Sequence, residues 1–578
     1  MLTLGINAAF HDCSAAIVHD GVVLAAAEEE RFTRIKHGKR PVPFSTWQLP
    51  YNAVDYCLGV AGCDLRDVDQ IAYSFDPALL APELAPLDTI TLPLQPSATR
   101  RGEQDGSPWD PLFLSYIVNA PRQLAGGVPH HLQSRFTSDT LEHILERWHF
   151  VEHHLSHEAS AFLASPFSDA AVLTMDGRGE RTSTSYGHFH KGKYERLKQI
   201  NLPHSLGLLY EEITAYLGFL HSCDEYKVMA LASYGQPAYL KEFHEIVQSD
   251  GNGGYALAAS KLRERFGPPR QRGTRFEAVH MDIAHSLQQV LEETVLDMAR
   301  WLHSETKATN LSMAGGVALN CVMNAHILNH GPFENIWVQP AAGDAGTSLG
   351  AALWLDFTHR SDGERNWSMD QAYLGPSYGD DEIETFLQLS GIKYRSLTNV
   401  ADAAADLLAQ EKVLGWFQGR MEFGPRALGA RSILASPRNA SMQARLNELK
   451  DREDFRPVAP VVMQERAHEW FDARGRDVIS APFMLFVYDV LESKADQIPA
   501  VRHTDGTARV QTVSKEQHPL LHELLHAFEK RTGVPVLVNT SFNTRGEPMV
   551  CSPRDALECF WTSPLDALVI GSFLVEKP

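Results

Sequence analysis

The chain has 578 residues, of which 44% are hydrophobic and 21% are charged, as in an ordinary globular protein. That length exceeds what one hydrophobic core usually supports, so two or more domains are expected. The formal charge of −20 at pH 7 disfavours nucleic acid as a partner, because an acidic surface repels phosphate backbones. Seven cysteines without C-x-x-C pairs, no signal-like N-terminus and no apolar run of the ~18 residues that span a bilayer predict a cytoplasmic protein without disulfides or membrane segments.

The chain opens with short apolar segments that have the alternation of strands. Three strands are predicted, at 2–7, 14–19 and 22–27. Asp20-Gly21 is the expected hairpin turn between the last two. A similar strand at 170–175 is followed by another strand-like run at 184–188. This order is similar to the first subdomain of actin-like, ribonuclease-H-type folds, and its recurrence predicts two lobes built on one theme.

Three further segments organise the rest of the chain. Residues 77–125 are rich in Pro, Leu and Gly without clear periodicity and are predicted to be an irregular excursion from the first lobe. The amphipathic pattern of 283–307 predicts a long helix ahead of the apolar strand and Gly-rich turn in LSMAGGVALN. Residues 373–381, with two glycines, a proline and two aspartates, are the expected linker to a second domain.

A pair of histidines in VEHHLSHEASAF is the first candidate site. His153 and His157 are four residues apart, so on a helix both imidazoles project from one face and can chelate a cation. His154 points elsewhere, nearer Glu158, and is a candidate substrate contact and catalytic residue rather than a ligand. A polar helix surface is the alternative explanation of this pattern.

Two aspartates could complete a metal site. Asp176 ends the apolar strand of AAVLTMDG, and Asp344 lies in the turn of QPAAGDAGTSLGAA. Carboxylates at such positions line clefts in α/β folds, although both are also common turn residues. Together with His153 and His157 they would give mixed nitrogen and oxygen ligation with open positions. Such a site suits Fe(II), Mn or Zn acting as a Lewis acid on a substrate oxygen.

A Gly-Gly pair precedes Asn320 in AGGVALN. Gly315 and Gly316 lack the Cβ atoms that would keep a phosphate away from the backbone, and the helix start that follows offers free N–H groups. These residues are therefore predicted to contact a nucleotide or phosphate. A simple tight turn is the alternative.

Positive charge is concentrated in one run, GWFQGRMEFGPRALGARSILASPRNASMQARLNELKDREDFRPVAP. Its cations include Arg420, Arg426, Arg431, Arg438, Arg445, Lys450, Arg452 and Arg456. Guanidinium groups interleaved with Gly and Pro suit phosphate groups. Arg426 lies in a loop constrained by neighbouring glycines and a proline, whereas a salt-bridged surface helix could explain Arg445 and Arg452.

The apolar strand in VPVLVNTSFNTRGEPMV ends in three short polar residues, Asn539, Ser541 and Asn543. Side chains of this kind at a strand end can bind a ligand with little flexibility, although capping of the next helix is the alternative. Arg509, in TARVQTV, could join the same pocket or be simply solvated.

Taken in order, these motifs resemble the carbamoyltransferase family of nodulation-factor, cephamycin, aminoglycoside and ansamycin biosynthesis. The motifs are FHDCSAA, EEERFTRIKHG, HHLSHEASA, MDGRGE, AGGVALN, GDAGTSLGAA, FGPRALGARSIL, KDREDFRPVAP and VNTSFNTRGEP. The resemblance implies an α/β enzyme, a carbamoyltransferase. Its two-lobed actin-like (ribonuclease-H-type) domain would span 1–372, and its YrdC-like α/β domain would span 373–578.

The resemblance also implies how the C-terminal domain works. It would make carbamoyl-adenylate from carbamoyl phosphate and ATP, the latter with Mg, and release pyrophosphate. Carbamoyl phosphate would first be cleaved to carbamate, whose oxygen attacks the α-phosphorus. The matching residues that would hold these substrates are Arg426, Lys450, Arg456, Arg509 and Ser541, with Asn543 beside them.

In the N-terminal domain, the resemblance implies that Gly315, Gly316 and Asn320 bind the adenylate beside an iron-type centre made by the His-His-Asp-Asp set. His11 and Lys36 match positions near the transferring carbamoyl group. His11 is the better acid–base candidate because an imidazole titrates near neutrality. Lys36 would stabilise phosphate or oxyanion charge.

The acceptor is expected to be a hydroxyl of a small natural product, such as an antibiotic of secondary metabolism, whose identity is left open. Whether the protein forms a homodimer is also left open. A tRNA threonylcarbamoylation enzyme shares both domain types but is disfavoured by the charge of −20. An actin-like small-molecule kinase leaves the arginine-rich run unexplained. A zinc protease is disfavoured because HHLSH lacks the glutamate of an H-E-x-x-H helix.

Overall fold

A computed structural model of the protein describes residues 1–38, 49–80, 111–126, 136, 139–361 and 363–577. The chain divides into two compact units. The first unit is Met1–Leu202, Leu311–Gly316 and Trp337–Met369, and the second is Pro203–Asn310, Val317–Ile336 and Asp370–Pro578. The predicted boundary after residue 372 lies close to the last junction. Residues 203–310 and 317–336 belong to the second of these units. The predicted domain bounds and the actin-like and YrdC-like assignments stay predictions.

Both units are α/β. In chain order the strands are β1 (Leu2–Asn7), β2 (Ser14–His19), β3 (Val22–Glu28), β4 (Gln70–Tyr73), β5 (Trp148–Phe150), β6 (Ala170–Met175), β7 (Thr182–His190), β8 (Lys193–Asn201), β9 (Val247–Ser249), β10 (Tyr255–Leu257), β11 (Asn310–Ala314), β12 (Asn335–Val338), β13 (Arg395–Ser396), β14 (Leu414–Phe417), β15 (Arg431–Ala435), β16 (Ala459–Met463), β17 (Val487–Asp489), β18 (Thr507–Arg509), β19 (Gln511–Val513), β20 (Val536–Ser541), β21 (Ala567–Ile570) and β22 (Phe573–Glu576). The helices are α1 (Glu30–Thr33), α2 (Tyr51–Ala61), α3 (Pro111–Val118), α4 (Ala120–Gly126), α5 (Leu141–Glu146), α6 (His153–Phe162), α7 (Leu206–Tyr216), α8 (Glu225–Ala232), α9 (Leu240–Ile246), α10 (Leu262–Phe266), α11 (Ala278–Thr306), α12 (Cys321–His330), α13 (Ala345–His359), α14 (Asp380–Leu389), α15 (Val400–Ala409), α16 (Ser441–Leu449), α17 (Pro519–Thr532) and α18 (Pro553–Thr562).

The N-terminal sheet has the strand order β3-β2-β1-β4-β5 in the described residues. The three predicted strands are confirmed, and the third extends to Glu28. Asp20 and Gly21 have φ values of 48° and 82°, as a tight hairpin between twisted strands requires. After β1, the Asn7 amide donates to the carbonyl oxygens of His11 (3.1 Å) and Asp12 (3.0 Å), which fixes the loop before β2.

The second sheet has the order β12-β11-β6-β7-β8, with β11 parallel to β6. The carboxyl ends of β6 and β11 therefore meet at one edge, as in the clefts of α/β proteins. The strand predicted at 170–175 is confirmed, and β7 contains the strand-like run at 184–188. Helix α13 packs against α6 and β1. The end of β6 and the starts of α6 and α13 carry the residues of the candidate metal centre.

The second unit contains a mixed sheet of order β13-β22-β21-β14-β15-β20-β16-β19. The carboxyl end of β20 lies beside the start of β15, where Ser541 pairs with Ser432. The long helix predicted at 283–307 is confirmed as α11.

The prediction of an irregular excursion over 77–125 is wrong for the part that α3 and α4 occupy. Phe113 and Ile117, one helical turn apart, are fully buried in the core of the first unit, as is Leu124. Burial of one apolar face therefore stabilises these short helices although their periodicity is weak. Residues 81–110 of that segment lie outside the described residues.

Candidate metal centre and basic pocket

Helix α6 presents two histidines to one point inside the first unit. His153 and His157 lie four residues apart, and their ring centroids are 4.7 Å apart at 90°. Both side chains are fully buried, so the alternative of a polar helix surface is wrong. The Nδ1 atom of His153 donates to the carbonyl oxygen of Ser74 (3.2 Å), so Nε2 is the ring nitrogen that could bind a metal ion once it has lost its proton.

The carboxylates of Asp176 and Asp344 face these imidazoles. The Nε2 atom of His153 lies 3.7 Å from Oδ2 of Asp176 and 3.6 Å from Oδ1 of Asp344. The same distances from Nε2 of His157 are 4.0 Å and 3.7 Å. These separations are too long for hydrogen bonds. Two atoms that are each about 2.1 Å from one ion at a tetrahedral angle lie about 3.4 Å apart, close to what is observed.

Several polar atoms of the cluster have no protein partner within the described ranges. They are Nε2 of His153, both ring nitrogens of His157 and Oδ1 of Asp344. Buried polar atoms in this condition destabilise a fold by ~1–3 kcal/mol each unless another group binds them. The four side chains offer two nitrogen and two oxygen ligands, all within 4.8 Å of one another. The predicted set therefore converges and could hold a divalent metal ion.

The charges of the cluster also favour a cation. Burial disfavours the charged form of His153, but Asp344 and Asp176 outweigh it and raise the pKa of that imidazole well above its usual value. Burial also disfavours the charged form of both carboxyl groups. Nearby histidines nevertheless hold the pKa of Asp176 well below its usual range and lower that of Asp344 to about 2. Two buried negative charges thus persist at neutral pH and require positive charge.

Gly315 and Gly316 bring β11 close to one of the ligands. Gly315 has a φ of +91°, and a Cβ atom there would lie 2.1 Å from the carbonyl oxygen of Met175. The backbone N–H of Gly316 donates to Oδ1 of Asp176 at 2.7 Å. The glycines therefore serve to position a carboxylate of the cluster. Their predicted contact with a nucleotide stays a prediction.

Asn320, in the second unit, caps α12. Its Oδ1 atom accepts from the backbone N–H of Met323 (3.0 Å), and its amide exchanges hydrogen bonds with Gln288 at 2.8 Å and 3.1 Å. Contact of this side chain with an adenylate stays a prediction and would compete with these bonds.

His154 lies on another side of α6, as predicted, but bonds differently from what the sequence suggested. Its Nδ1 atom lies 3.2 Å from the hydroxyl of Thr174, which is 2.6 Å from the hydroxyl of Ser185. Ser185 donates in turn to Glu158, so His154 reaches Glu158 only through two hydroxyls. Burial and the neighbouring His157 lower the pKa of His154 well below its usual value. The ring is therefore neutral, and its catalytic role stays a prediction.

Asp12 holds two imidazoles in the first unit. Its Oδ2 atom lies 2.9 Å from Nδ1 of His11, and its Oδ1 atom lies 2.7 Å from Nδ1 of His37. Burial alone would lower the pKa of His11. The negative charges of Asp344 and Asp12 outweigh the effect of burial and raise this pKa to about 9. Asp344, one of the four candidate ligands, thus also favours the charged form of His11. Lys36 starts the short turn that contains His37, and its role stays a prediction. Sequence reasoning missed Asp12 and His37, although the FHDC and KHG motifs contained them.

Four guanidinium groups share one environment in the second unit. Burial, Arg509 and Arg456 lower the pKa of Arg426 to about 9, and burial with the same two arginines lowers that of Arg452 to about 9. The Nε atoms of Arg426 and Arg509 are buried without hydrogen-bond partners in the described part of the chain. Arg456 stacks on Tyr226, 4.7 Å from the ring centroid. The structure thus brings the predicted arginines together, and we call Arg426, Arg452, Arg456 and Arg509 the basic pocket.

Arg445 and Arg452 belong to different environments. Arg445 is exposed and pairs with Asp566 at 2.7 Å, so the surface explanation fits it. Arg452 follows the end of α16 and donates from Nε to Asn447 (2.6 Å), while its Nη2 atom is buried without a partner among the described residues. Sequence reasoning left Arg452 open between a phosphate contact and a salt-bridged surface helix, because acidic residues lie close to it in the sequence. It missed His503, which lies close enough to Arg509 for that cation to affect its pKa.

Lys450, Ser541 and Asn543 form one connected group. Lys450 donates to the Ser541 hydroxyl (3.2 Å) and to Oδ1 of Asn543 (2.6 Å), and Ser541 donates to the same Oδ1 atom at 2.7 Å. Burial lowers the pKa of Lys450 well below its usual value. The helix-capping alternative is wrong for Ser541 and Asn543, because α18 begins at Pro553 and is capped by Ser552.

Comparison with known proteins identifies the family. The family model described as carbamoyltransferase N-terminus matches residues 2–87 and 132–353, and that described as carbamoyltransferase C-terminus matches residues 405–577. The nodulation protein NolNO of Sinorhizobium fredii is 40% identical over 597 residues, which are 99% of this chain and 80% of that protein. The protein sll1178 of Synechocystis sp. is 40% identical over 619 residues, 99% of this chain and 96% of that protein. The nodulation protein NolO of Bradyrhizobium diazoefficiens is 41% identical over 446 residues, 74% of this chain and 79% of that protein.

Because both halves of the chain match, the protein is an enzyme of group transfer. It belongs to the carbamoyltransferase family, and its activity is the transfer of a carbamoyl group. Within the described ranges, no helix combines the length and apolar character needed to cross a membrane.

Proposed function

We propose that the protein makes carbamoyl-adenylate from carbamoyl phosphate and ATP, releases pyrophosphate, and transfers the carbamoyl group to a hydroxyl of a small natural product. The observation that carries this proposal is the basic pocket, in which Arg426 and Arg509 keep buried Nε donors that have no acceptor among the residues the structure describes. Such a concentration of donors favours a polyanion, and a nucleoside triphosphate with an acyl phosphate is one. The proposal includes an actin-like N-terminal domain, a YrdC-like C-terminal domain and a cytoplasmic location.

In the first half-reaction, water would cleave carbamoyl phosphate to carbamate and phosphate. A carbamate oxygen would then attack the α-phosphorus of ATP, and the bond to pyrophosphate would break. Arg426, Arg456 and Arg509 would stabilise the charge that develops on the leaving pyrophosphate. Lys450, fixed by Ser541 and Asn543, would hold the carbamoyl phosphate, and Mg would accompany the ATP.

In the second half-reaction, the acceptor oxygen would attack the carbamoyl carbon and AMP would leave. Nε2 of His11, whose Nδ1 atom is held by Asp12, would take the hydroxyl proton. Only the neutral form of the ring can do so, and a pKa raised to about 9 makes that form the minor one at neutral pH. Lys36 would stabilise the oxyanion, and His154 would contact the adenylate. The His-His-Asp-Asp set would hold Fe(II), with Mn or Zn as alternatives, and the ion would supply Lewis-acid stabilisation of negative charge on a phosphoryl or carbamoyl oxygen.

The test measures pyrophosphate release from the purified protein with ATP and carbamoyl phosphate, with each substrate omitted in turn. A panel of hydroxylated natural products then tests transfer. The proposal predicts pyrophosphate release that requires both substrates. Release of ADP without pyrophosphate would support a kinase instead, and carbamoylation of bulk tRNA would support the tRNA-modifying alternative.

A further inference from the structure

A loop of the second unit holds His503 in one tautomer. The backbone N–H of His503 donates to the carbonyl oxygen of Thr507 (2.7 Å). The backbone N–H of Gly506 donates to the carbonyl oxygen of His503 (3.0 Å). The Thr507 hydroxyl donates its proton to Oδ1 of Asp505 at 2.7 Å. It must therefore accept from Nδ1 of His503, 3.1 Å away, so Nδ1 carries the ring proton.

The other ring nitrogen of His503 is a buried acceptor. Its Nε2 atom has no hydrogen-bond partner in the part of the chain that the structure describes. Burial and the positive charge of Arg509 lower the pKa of His503 to about 4. At neutral pH the Nε2 atom therefore has a lone pair and no proton, and it requires a donor from elsewhere.

His503 lies on the face of β18 that carries Arg509. Side chains two residues apart on a strand point to the same face, so Thr507 and Arg509 share one. Because the His503 ring is bonded to the Thr507 hydroxyl, it lies on that face too. The Nε2 acceptor is thus part of the surroundings of the basic pocket.

The chemistry of this acceptor differs from that of its neighbours. The guanidinium groups of Arg426, Arg452 and Arg509 only donate hydrogen bonds, and so does the ammonium group of Lys450. Phosphate oxygens of either proposed substrate can satisfy those donors. They cannot satisfy Nε2 of His503, which needs an N–H or O–H group. The amino group next to the carbonyl of carbamoyl phosphate is such a donor.

We propose that His503 determines substrate specificity by accepting, at Nε2, a hydrogen bond from the amino group of carbamoyl phosphate. This inference rests on the proposed function and names the residue that selects a carbamoyl group over other acyl groups. Acetyl phosphate has a similar shape but carries a methyl group in place of the amino group. It would leave the buried acceptor unsatisfied, so the site would discriminate against it by about 10- to 100-fold.

Two matched variants of the full chain test this role. The side chain of His503→Asn keeps an amide N–H near the place of Nδ1, and so the bond to Thr507, but has no atom near the place of Nε2. The side chain of His503→Gln puts its carbonyl oxygen near the place of Nε2 and restores the acceptor. His503→Leu removes both groups and is used if His503→Asn fails to fold.

The readout is pyrophosphate release, with acetyl phosphate as a competitive inhibitor against carbamoyl phosphate. His503→Asn is expected to raise KM for carbamoyl phosphate by about 10- to 100-fold and to leave KM for ATP within about twofold. The ratio of the acetyl phosphate inhibition constant to that KM should fall by a similar factor. His503→Gln should recover most of both losses, which a merely structural role would not predict.

An unchanged preference for carbamoyl phosphate in His503→Asn would overturn the role of His503. A rise confined to KM for ATP would also overturn it and would assign Nε2 to a nucleotide donor. Both outcomes bear on His503 only if the wild-type protein releases pyrophosphate from the two substrates. Absence of that wild-type activity would instead overturn the proposed function.

Discussion

The Nε2 atom of His153 lies 3.6 Å from Oδ1 of Asp344, and both atoms are buried without a hydrogen-bond partner among the described residues. The histidine starts α6, and the aspartate immediately precedes α13. Because α13 packs against α6, tertiary packing sets this distance. Two such atoms facing each other in a buried site are suited to bind the same cation.

Loss of one ligand should abolish metal binding. His157→Ala is expected to reduce the bound ion from about one per chain to nearly none, because a structurally defined site of four ligands loses a donor. Elemental analysis after reconstitution with Fe(II), Mn or Zn measures this. His143→Ala, which removes an exposed histidine of the same unit that bonds Asp139, is the control and should keep its metal. Equal metal content in both variants would place the ion elsewhere.

The close approach of β11 to β6 should make Gly315 sensitive to substitution. Gly315→Ala adds a Cβ atom 2.1 Å from a carbonyl oxygen at a φ of +91°. It is expected to lower the free energy of unfolding by about 2–5 kcal/mol, from overpacking and a left-handed backbone. Gly192→Ala, at a φ of +70°, adds a Cβ atom with no described atom within 4 Å and should lose only about 1–2 kcal/mol. Urea denaturation compares the two, and equal losses would show that the close contact relaxes freely.

Arg452 should behave as a member of the basic pocket. Arg452→Gln is expected to raise KM for ATP or carbamoyl phosphate by about 10-fold or more, because a charge-assisted hydrogen bond to a phosphate is lost. Arg445→Gln is the matched control, since Arg445 pairs with Asp566 at the surface. Steady-state pyrophosphate release measures both variants. Normal kinetics in Arg452→Gln would assign its guanidinium to the fold alone.

His503 should contribute to the pH dependence of stability. Its pKa is lowered from 6.5 to about 4 in the folded chain, so the unfolded chain binds a proton that the folded chain excludes. The free energy of unfolding should therefore fall as the pH falls from about 6.5 to about 4, by at most about 3 kcal/mol. His503→Gln does not titrate and should show a smaller fall between pH 7 and pH 4.5 in urea midpoints. Identical slopes would contradict a buried neutral imidazole.

Local sequence patterns were sufficient to predict several elements of the fold. The N-terminal strands follow from alternation and from the turn at Asp20-Gly21, and α11 follows from a long helical period. The helices over 111–118 and 120–126 were not predictable in this way, because Phe113 and Ile117 are buried in a core whose other residues are distant in the sequence.

The residues of the candidate sites also differ in whether a local sequence pattern predicts them. The His153–His157 pair was predictable because four residues make about one helical turn, and the arginines were visible as a concentration of charge. The role of Asp12 was not predictable from the sequence. Its bridge to His11 and His37 depends on left-handed backbone at Asp12 (φ 52°) and His37 (φ 64°), which no local pattern indicates. The sequence left two explanations of Arg452 open because it does not show where α16 ends.

The division of labour between the two candidate sites is tested most directly by measuring both half-reactions in Arg426→Ala and His157→Ala. Arg426→Ala should reduce pyrophosphate release by at least about 100-fold, because the variant loses a charge-assisted contact to phosphate. His157→Ala should release pyrophosphate at a near-normal rate and fail to carbamoylate an acceptor. Loss of only the transfer step in both variants, or loss of pyrophosphate release in His157→Ala, would contradict this division.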